Sequence, residues 1–314
     1  MKNYLVTGGS GYLGSHICLL LKEKGHTVVI YDIKSPDHKY FDHFCHGDIR
    51  DAENLGMAFS YCKYDAVIHC AGRIEVGESM KNPTEFWEVN VGGTAILLNA
   101  MKKAKVKKLL FSSTAAVYAP SKKPLSEKSP LKSSSVYGNT KLACEQMIAD
   151  SGLKYGIFRY FNLAGAYWLW GLGENHEPET HLIPSVLLNP DKVKIFGNDY
   201  DTVDGTCVRD YVDVRDVAQT HLDALKHLHK NPSFLVNLGS GKGYSVGQIL
   251  HTIHRNVYVH ITAEIAPRRE GDPDTLVADI SLAQKLLKYS PEYDIREMIS
   301  SMFYYLQEQG RIKK

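Results

Sequence analysis

Along its first 166 positions the chain alternates short apolar runs with stretches whose apolar residues recur every three or four positions. The runs at 3–8, 27–31, 66–70, 107–113 and 155–161 have the length and the β-branched and aromatic content of buried strands. The stretches 12–24, 51–61, 83–103 and 138–150 carry helical periodicity. Alternation of this kind predicts an α/β fold, a doubly wound parallel sheet with helices on both faces. The rhythm breaks after Ala166, where Gly, Pro, Trp and Asn accumulate up to Asp210 and suit a less regular lobe. A helical pattern returns at 213–229, and the apolar run 234–238 is expected to rejoin the sheet. A helix, a Pro- and charge-rich turn at 266–274 and a C-terminal helix complete the pattern. The reading is one regular domain over 1–166, rejoined by about 211–240, and a smaller discontinuous C-terminal lobe over 167–314.

Composition narrows the class. Apolar residues make up 44% and charged residues 23%, and the formal net charge is +2, a balance that points away from nucleic acid or an acidic membrane surface as partner. No apolar run approaches the length that spans a bilayer, and the chain runs directly into its first strand without a leader-like segment. The six cysteines are scattered without a CxxC, as reduced core thiols are, so the expected setting is cytoplasmic. His43, Cys45 and His46 invite a metal reading, but neighbours on a strand point to opposite faces and no second ligand pair lies nearby; no metal site is expected.

The chemistry begins at the N-terminus. The run Tyr4-Leu5-Val6-Thr7 leads into Gly8, Gly11 and Gly14 and then an amphipathic stretch, the order strand, tight turn, helix that receives a dinucleotide pyrophosphate. The spacing is GxxGxxG, and a glycine trio alone is also what ordinary turns contain. Asp32, closing the second apolar run, stands where an acid hydrogen-bonds the adenosine ribose; with no arginine beside it, NAD is favoured over NADP. Tyr137 and Lys141 lie one helical turn apart and can face one pocket. A lysine ammonium together with a nicotinamide cation favours the phenolate, which makes the tyrosine a proton acceptor for a hydroxyl. On a solvated helix the same pair would be structural; its occurrence with the glycine turn selects the catalytic reading.

These residues place the chain among relatives. It resembles the UDP-glucose 4-epimerases of the extended short-chain dehydrogenase/reductase superfamily, from end to end, through TGGSGYLG at 7–14, GDIRD at 47–51, FSSTAAVY at 111–118, VYGNTK at 136–141, RYFNLAGA at 159–166, ETHLIP at 179–184, IFGNDYDTVDGTCVRDY at 195–211 and APRREGD at 266–272. The resemblance implies a Rossmann domain holding NAD and a lobe holding a UDP-sugar. By resemblance, Gly8, Gly11, Tyr12, Leu13 and Gly14 surround the pyrophosphate, Asp32 the ribose, Asp48 and Ile49 the adenine, and Asn90 and Lys141 line the cofactor cleft. Thr114 and Tyr137 are the implied hydroxyl pair at the sugar 4-oxygen, and Asn162, Lys194, Phe196, Arg209, Arg269 and Asp272 the implied substrate contacts. Read without the resemblance, Asp48 could cap the helix that begins near Asp51, Thr114 could be an ordinary strand-end residue, Arg269 could pair with Glu264 or Glu270, and Phe196 could be core.

The implied reaction is interconversion of UDP-galactose and UDP-glucose through a transient 4-keto sugar and NADH. Epimerases of UDP-xylose, UDP-glucuronate or N-acetylhexosamines, and a catalytically silent NAD-binding scaffold, are the alternatives. A 4,6-dehydratase needs an acid–base carboxyl pair beside the hydroxyl, and here Ala115 and Ala116 follow Thr114. One departure is Ile74, where the family often has a cofactor-contacting lysine. Leu276 stands at a position that, in the family, resembles a gate beside the sugar 2-substituent. A homodimer is also implied, built from helices around 83–103 and 138–150, with Ile96, Leu97, Met101, Leu142 and Met147 as its apolar face.

Overall fold

The computed structural model describes residues 1–269 and 272–313, so Glu270 and Gly271 of the expected 266–274 turn lie outside the described residues, as does Lys314. The chain divides into two compact units, Met1–Ala119 with Pro130–Tyr160 and Ala218–Val236, and Pro120–Ser129 with Phe161–Val217 and Asn237–Lys314.

The first unit is organised by strands β1 (Asn3–Thr7), β2 (Thr27–Asp32), β3 (His43–His46), β4 (Ala66–His69), β5 (Lys108–Thr114) and β6 (Lys154–Tyr160), with β7 (Phe234–Leu238) as the seventh strand of the sheet. Their order is β7-β6-β5-β4-β1-β2-β3, and neighbours from β6 to β3 pair in parallel. Leu5 sits between Val29 and Val67 in register. Leu5, Val28, Val29, Ile30, Val67 and Ile68 are all fully buried, because helices cover both faces, and such strands read as continuous apolar runs. On one face Leu55, Leu97, Met101, Leu109, Phe111, Ile148 and Ile157 close the core.

The helices follow the same logic. α1 (Tyr12–Glu23) buries Leu13, Ile17 and Leu21, one stripe at helical spacing. α2 (Ala52–Ser60) begins at Asp51, whose carboxylate accepts from the Glu53 and Asn54 N–H groups at 3.0 Å. Asp51, rather than Asp48, is therefore the cap. The expected helix 83–103 is interrupted: α3 (Val76–Lys81) precedes α4 (Pro83–Phe86), a π-helical turn spans Trp87–Gly92, and α5 (Gly93–Lys103) follows. Sequence periodicity does not register α3, a single turn and a half, or β3, a half-buried HFCH. α6 (Val136–Asp150) is capped by Ser135, which accepts from Gly138 N at 3.1 Å. Leu97 and Met101 are fully buried within this unit, which removes them from the expected dimer face; burial against the sheet takes them first.

The most buried ionic contact also lies in this unit. Arg159 on β6 donates to Glu145 on α6 from Nε at 3.0 Å and from NH2 at 2.6 Å. Ser113 on β5 donates to the same carboxylate at 2.5 Å, and Arg159 donates to Tyr118 Oη at 3.0 Å.

In the second unit the strand Val208–Asp213 is central, flanked by Gly243–Ser245, Thr275–Leu276 and Asn162–Ala164. Val193–Phe196 pairs with Ala263–Ala266 in a separate ribbon. The helices Val246–Val257 and Ile295–Glu308 both start with a capping box, Ser245 with Gln248 and Asp294 with Glu297. Ile249, Ile253, Met298 and Met302 form their shared core. Among the described residues no helix is long and apolar enough to cross a membrane.

Replacing Arg159 by Met strands the buried Glu145 charge. The Arg159→Met variant is expected to lose about 3–5 kcal/mol of stability in urea unfolding, because a broken buried pair leaves one uncompensated ion. A loss no larger than that of a surface substitution would show that water or Ser113 alone suffices for Glu145.

Candidate active site

The glycine turn joins β1 to α1. Gly8 has φ +73°, a conformation that disfavours a side chain, and its N–H donates to Tyr31 O at 3.0 Å. A Cβ on Gly8 would fall 2.5 Å from Ala71 N, and one on Gly14 would collide with Gly8 O. These two glycines serve close packing. Gly11 is different: its backbone is ordinary (φ −84°, ψ 177°), and a Cβ there would meet only Gly8 O, at 3.3 Å. Gly11 is also the N-cap of α1 and, having no side chain, makes no side-chain cap, so the backbone at the helix N-terminus is approachable there. Such a cradle fits an anionic diphosphate.

Asp32 stands at the end of β2. Its carboxylate accepts from Ser10 N and Lys34 N, both at 3.0 Å, and this fixes it beside the turn with lone pairs to spare. Asp48 is held by Arg50, through Nε at 3.0 Å and NH2 at 2.7 Å, and that pairing keeps its carboxyl below the usual range. Its carbonyl accepts from Tyr31 Oη at 2.8 Å. Ile49 is buried against Gly93. The Asn90 side chain is spent on protein groups: Oδ1 accepts from Arg73 N at 2.8 Å, and Nδ2 donates to Arg73 O at 3.1 Å and Thr140 Oγ1 at 3.0 Å. Asn90 thus ties the 72–73 turn to α6. Arg73 does not replace the family lysine at Ile74 by a free reach, since its guanidinium pairs with Glu85 at 2.6 Å and Glu75 at 3.4 Å.

Tyr137 and Lys141 occupy the buried face of α6, together with Cys144, Glu145 and Ile148. Lys141 Nζ donates to Ser112 O at 2.9 Å and lies 5.0 Å above the Phe111 ring and 6.0 Å from the Tyr137 ring centre. Burial lowers the Lys141 pKa, since it penalises the ammonium. Burial also pushes the Tyr137 phenol up to about 12; the Thr114 hydroxyl, hydrogen-bonded to it, works the other way, and the Glu75 charge adds to the rise. The phenolate expected from the sequence calls for a nicotinamide cation as well as the lysine, and the chain alone leaves the phenol above its ordinary value. Thr114 Oγ1 accepts from Ala116 N at 3.1 Å, so its own proton is free to serve the tyrosine. Behind the pair, His69 bridges Thr7 at 2.7 Å and Thr94 at 3.1 Å; burial first, then the Lys141 charge, drive its pKa to about 3, so it stays neutral.

The second unit carries the other candidates. Arg209 is buried; NH1 donates to Val208 O and Pro273 O, each at 2.9 Å, and NH2 lies 3.0 Å from Asp272 Oδ1 without forming a hydrogen bond. A buried guanidinium edge without an acceptor is costly and suits a further anionic oxygen. Arg269 stacks over Phe196 at 4.0 Å, so Phe196 is a half-buried platform rather than core. Asn162 pairs in register with Tyr211, and Leu276, half-buried, with Arg209. Lys194 is exposed and pairs with Glu264 at 3.4 Å on the two-stranded ribbon, two residues before Phe196 on the same strand.

Three groups that matter here are illegible in sequence. Ser112 contributes only its carbonyl to Lys141, Ser79 accepts from Tyr137 N at 3.1 Å, and Glu75 raises the Tyr137 pKa from outside the motif. Backbone and through-space contributions leave no residue-type signature.

Comparison with known proteins agrees with this geometry. Residues 4–239 match the model of the NAD dependent epimerase/dehydratase family. The chain is 45% identical to a UDP-glucose 4-epimerase of Halalkalibacterium halodurans over 92% of its length and 90% of the relative's. Its structure is similar to a UDP-glucose-4-epimerase from Stenotrophomonas maltophila with bound NAD and formylated UDP-arabinopyranose (TM-score 0.93, 36% identity, 99% of both chains). It is similar too to the Bifidobacterium longum UDP-glucose 4-epimerase in complex with NAD+ and UDP (TM-score 0.93, 35% identity, 99% of both chains).

The two kinds of glycine separate experimentally. Gly14→Ala is expected to cost about 1–3 kcal/mol through overpacking. Gly11→Ala should keep the unfolding midpoint and lose most of the rise in melting temperature that added NAD produces. Retention of the full NAD-induced rise by Gly11→Ala would rule out the cradle at that position.

Proposed function

The chain belongs to the NAD dependent epimerase/dehydratase family, and from that premise we propose that it acts as a UDP-glucose 4-epimerase, interconverting UDP-galactose and UDP-glucose by inversion at C4. The observation that carries the reading is the Tyr137 phenol, buried, hydrogen-bonded to Thr114 and one turn from a buried lysine. NAD, when bound, supplies a reversible two-electron acceptor for the sugar C4 and a cationic ring. In this reading the Gly11 cradle and the first N–H groups of α1 hold its diphosphate, Asp32 its adenosine ribose and Lys141 its nicotinamide ribose.

The remaining work falls to the chain. Tyr137 Oη would accept the proton of the 4-hydroxyl as C4 gives up its hydride to the two-electron acceptor that bound NAD supplies, which leaves a 4-keto sugar, and would return the proton when the hydride comes back to the opposite face of C4. Thr114, with its lone pair committed to Ala116 N, donates toward the phenol oxygen and stabilises it as charge develops. Lys141 presents its amino group in the same buried pocket, oriented by the Ser112 carbonyl. Arg209 and Arg269 hold the UDP diphosphate, with Asp272 and Phe196 as their supports, and Asn162 contacts the substrate. Binding energy invested in the UDP handle leaves the hexose free to turn, which inversion requires. Lys194, paired with Glu264 at 3.4 Å on the exposed ribbon, is a further substrate contact that the resemblance implies.

The same reading includes a cytoplasmic setting, in keeping with six free cysteines, and a homodimer. For the latter, Ile96, Leu142 and Met147 are the half-buried apolar positions left on α5 and α6.

Tyr137→Phe is expected to keep the unfolding midpoint and to lower turnover of UDP-galactose by ~10²–10⁴-fold. Near-native turnover would overturn the assignment. Glu75→Gln tests the electrostatics. The Glu75 charge raises the Tyr137 pKa, so its removal lowers that pKa and extends the rising limb of kcat/KM to lower pH. A limb that stays in place would mean that a group other than Tyr137 titrates.

A further inference from the structure

Glu174, His176, Glu179 and His181 gather in the loop that leads into the helix Leu182–Leu188, within the second unit. One ligating atom from each lies within 4.8 Å of all the others. Glu174 is fully buried; its Oε1 faces His176 Nδ1 at 3.1 Å and is in close contact with His181 Nδ1. Its Oε2 is buried without a hydrogen-bond partner, and so is Glu179 Oε2. Glu179 Oε1 accepts from Thr180 N at 2.8 Å and His181 N at 2.9 Å, which locks that carboxylate toward the turn. The two imidazoles meet edge to face, 5.5 Å between centres, rather than stacking.

Two carboxylates crowd a site where no lysine or arginine pairs with either among the described residues. Unpaired carboxylate oxygens shielded from water are costly, and a cation placed among them relieves both the repulsion and the lost hydration. We propose that Glu174, His176, Glu179 and His181 bind one divalent transition-metal ion, Zn²⁺ by preference, which pins the 174–181 loop to the start of the following helix. Two nitrogen and two oxygen donors match Zn²⁺, with bonds of about 2.0–2.2 Å, whereas Ca²⁺ and Mg²⁺ select all-oxygen sets. A tetrahedron of that size sets its donors about 3.3 Å apart, so the wider separations contract on binding while the two histidine contacts with Glu174 open to admit the ion. With four protein ligands the coordination is closed, and the ion is structural rather than catalytic.

The test uses the full chain, stripped with a chelator and titrated with Co²⁺. The expected result is one Co²⁺ per chain with the visible absorption of tetrahedral cobalt, displaced by Zn²⁺, and a rise in melting temperature when Zn²⁺ is added. His176→Asn and His181→Asn should lose both signals while far-UV circular dichroism is unchanged. His43→Asn, whose ring stacks on Tyr61 elsewhere, should retain them. Glu179→Gln, which keeps the side-chain shape, should weaken Zn²⁺ binding by about tenfold or more. Absence of stoichiometric binding, an octahedral cobalt spectrum, or binding that survives both histidine substitutions would overturn the proposal and leave protonated histidines as the partners of Glu174.

Discussion

The buried contact of Glu145 with Arg159 and Ser113 is the constraint on which the Tyr137 pocket depends. It joins α6 to β6 and β5 at one point, because a single carboxylate accepts from both strands. Thr114 follows Ser113 directly, and Lys141 lies one turn before Glu145 on the same buried face. The contact therefore ties the strand that carries Thr114 to the helix that carries Tyr137. The desolvation that makes such a pair expensive also makes it directional: alternatives to the observed geometry would leave a charge unmatched. Ser135 at the N-cap and Ser79 at Tyr137 N fix the other end of the helix.

That same burial sets the electrostatic problem the site has to solve. A phenol pushed up to about 12 is a poor base at neutral pH, and the chain contributes one hydrogen bond and one distant ammonium toward correcting it. In the proposed reaction a nicotinamide cation beside the phenol would act in the same direction as the Thr114 hydrogen bond, against the effect of burial. His69, kept neutral behind Lys141, completes the pocket without adding a competing charge.

The second unit handles anions and cations by separate means. Arg209 is buried, its charge met by Asp272 at 3.0 Å while NH2 forms no hydrogen bond, and in the proposed reaction a further oxyanion would complete it. The Glu174 cluster has the opposite sign, carboxylate oxygens without donors, and calls for a cation. Both are buried polar groups with an atom left without a hydrogen-bond partner, and the two proposed ligands would be of opposite charge.

The sequence by itself determined what is local. Apolar periodicity placed β1, β2, β4, β5, β6, α1 and α6 to within a residue or two, the glycine turn announced a tight strand-to-helix junction, and Tyr137 and Lys141 share a face because a helix repeats every 3.6 residues. The resemblance along the whole chain pointed to the family. Tertiary structure alone decided what depends on neighbours distant in sequence. It broke the 83–103 helix with a π-helical turn, withdrew Leu97 and Met101 into the core, and engaged Lys194 with Glu264. It bound Lys141 to a backbone carbonyl and, by burial, raised the Tyr137 pKa. It also assembled Glu174, His176, Glu179 and His181 around one point from a loop without periodicity. The physical reason is common to all of these. Propensity and spacing are properties of a segment, whereas desolvation and charge pairing are properties of whatever the fold packs around it.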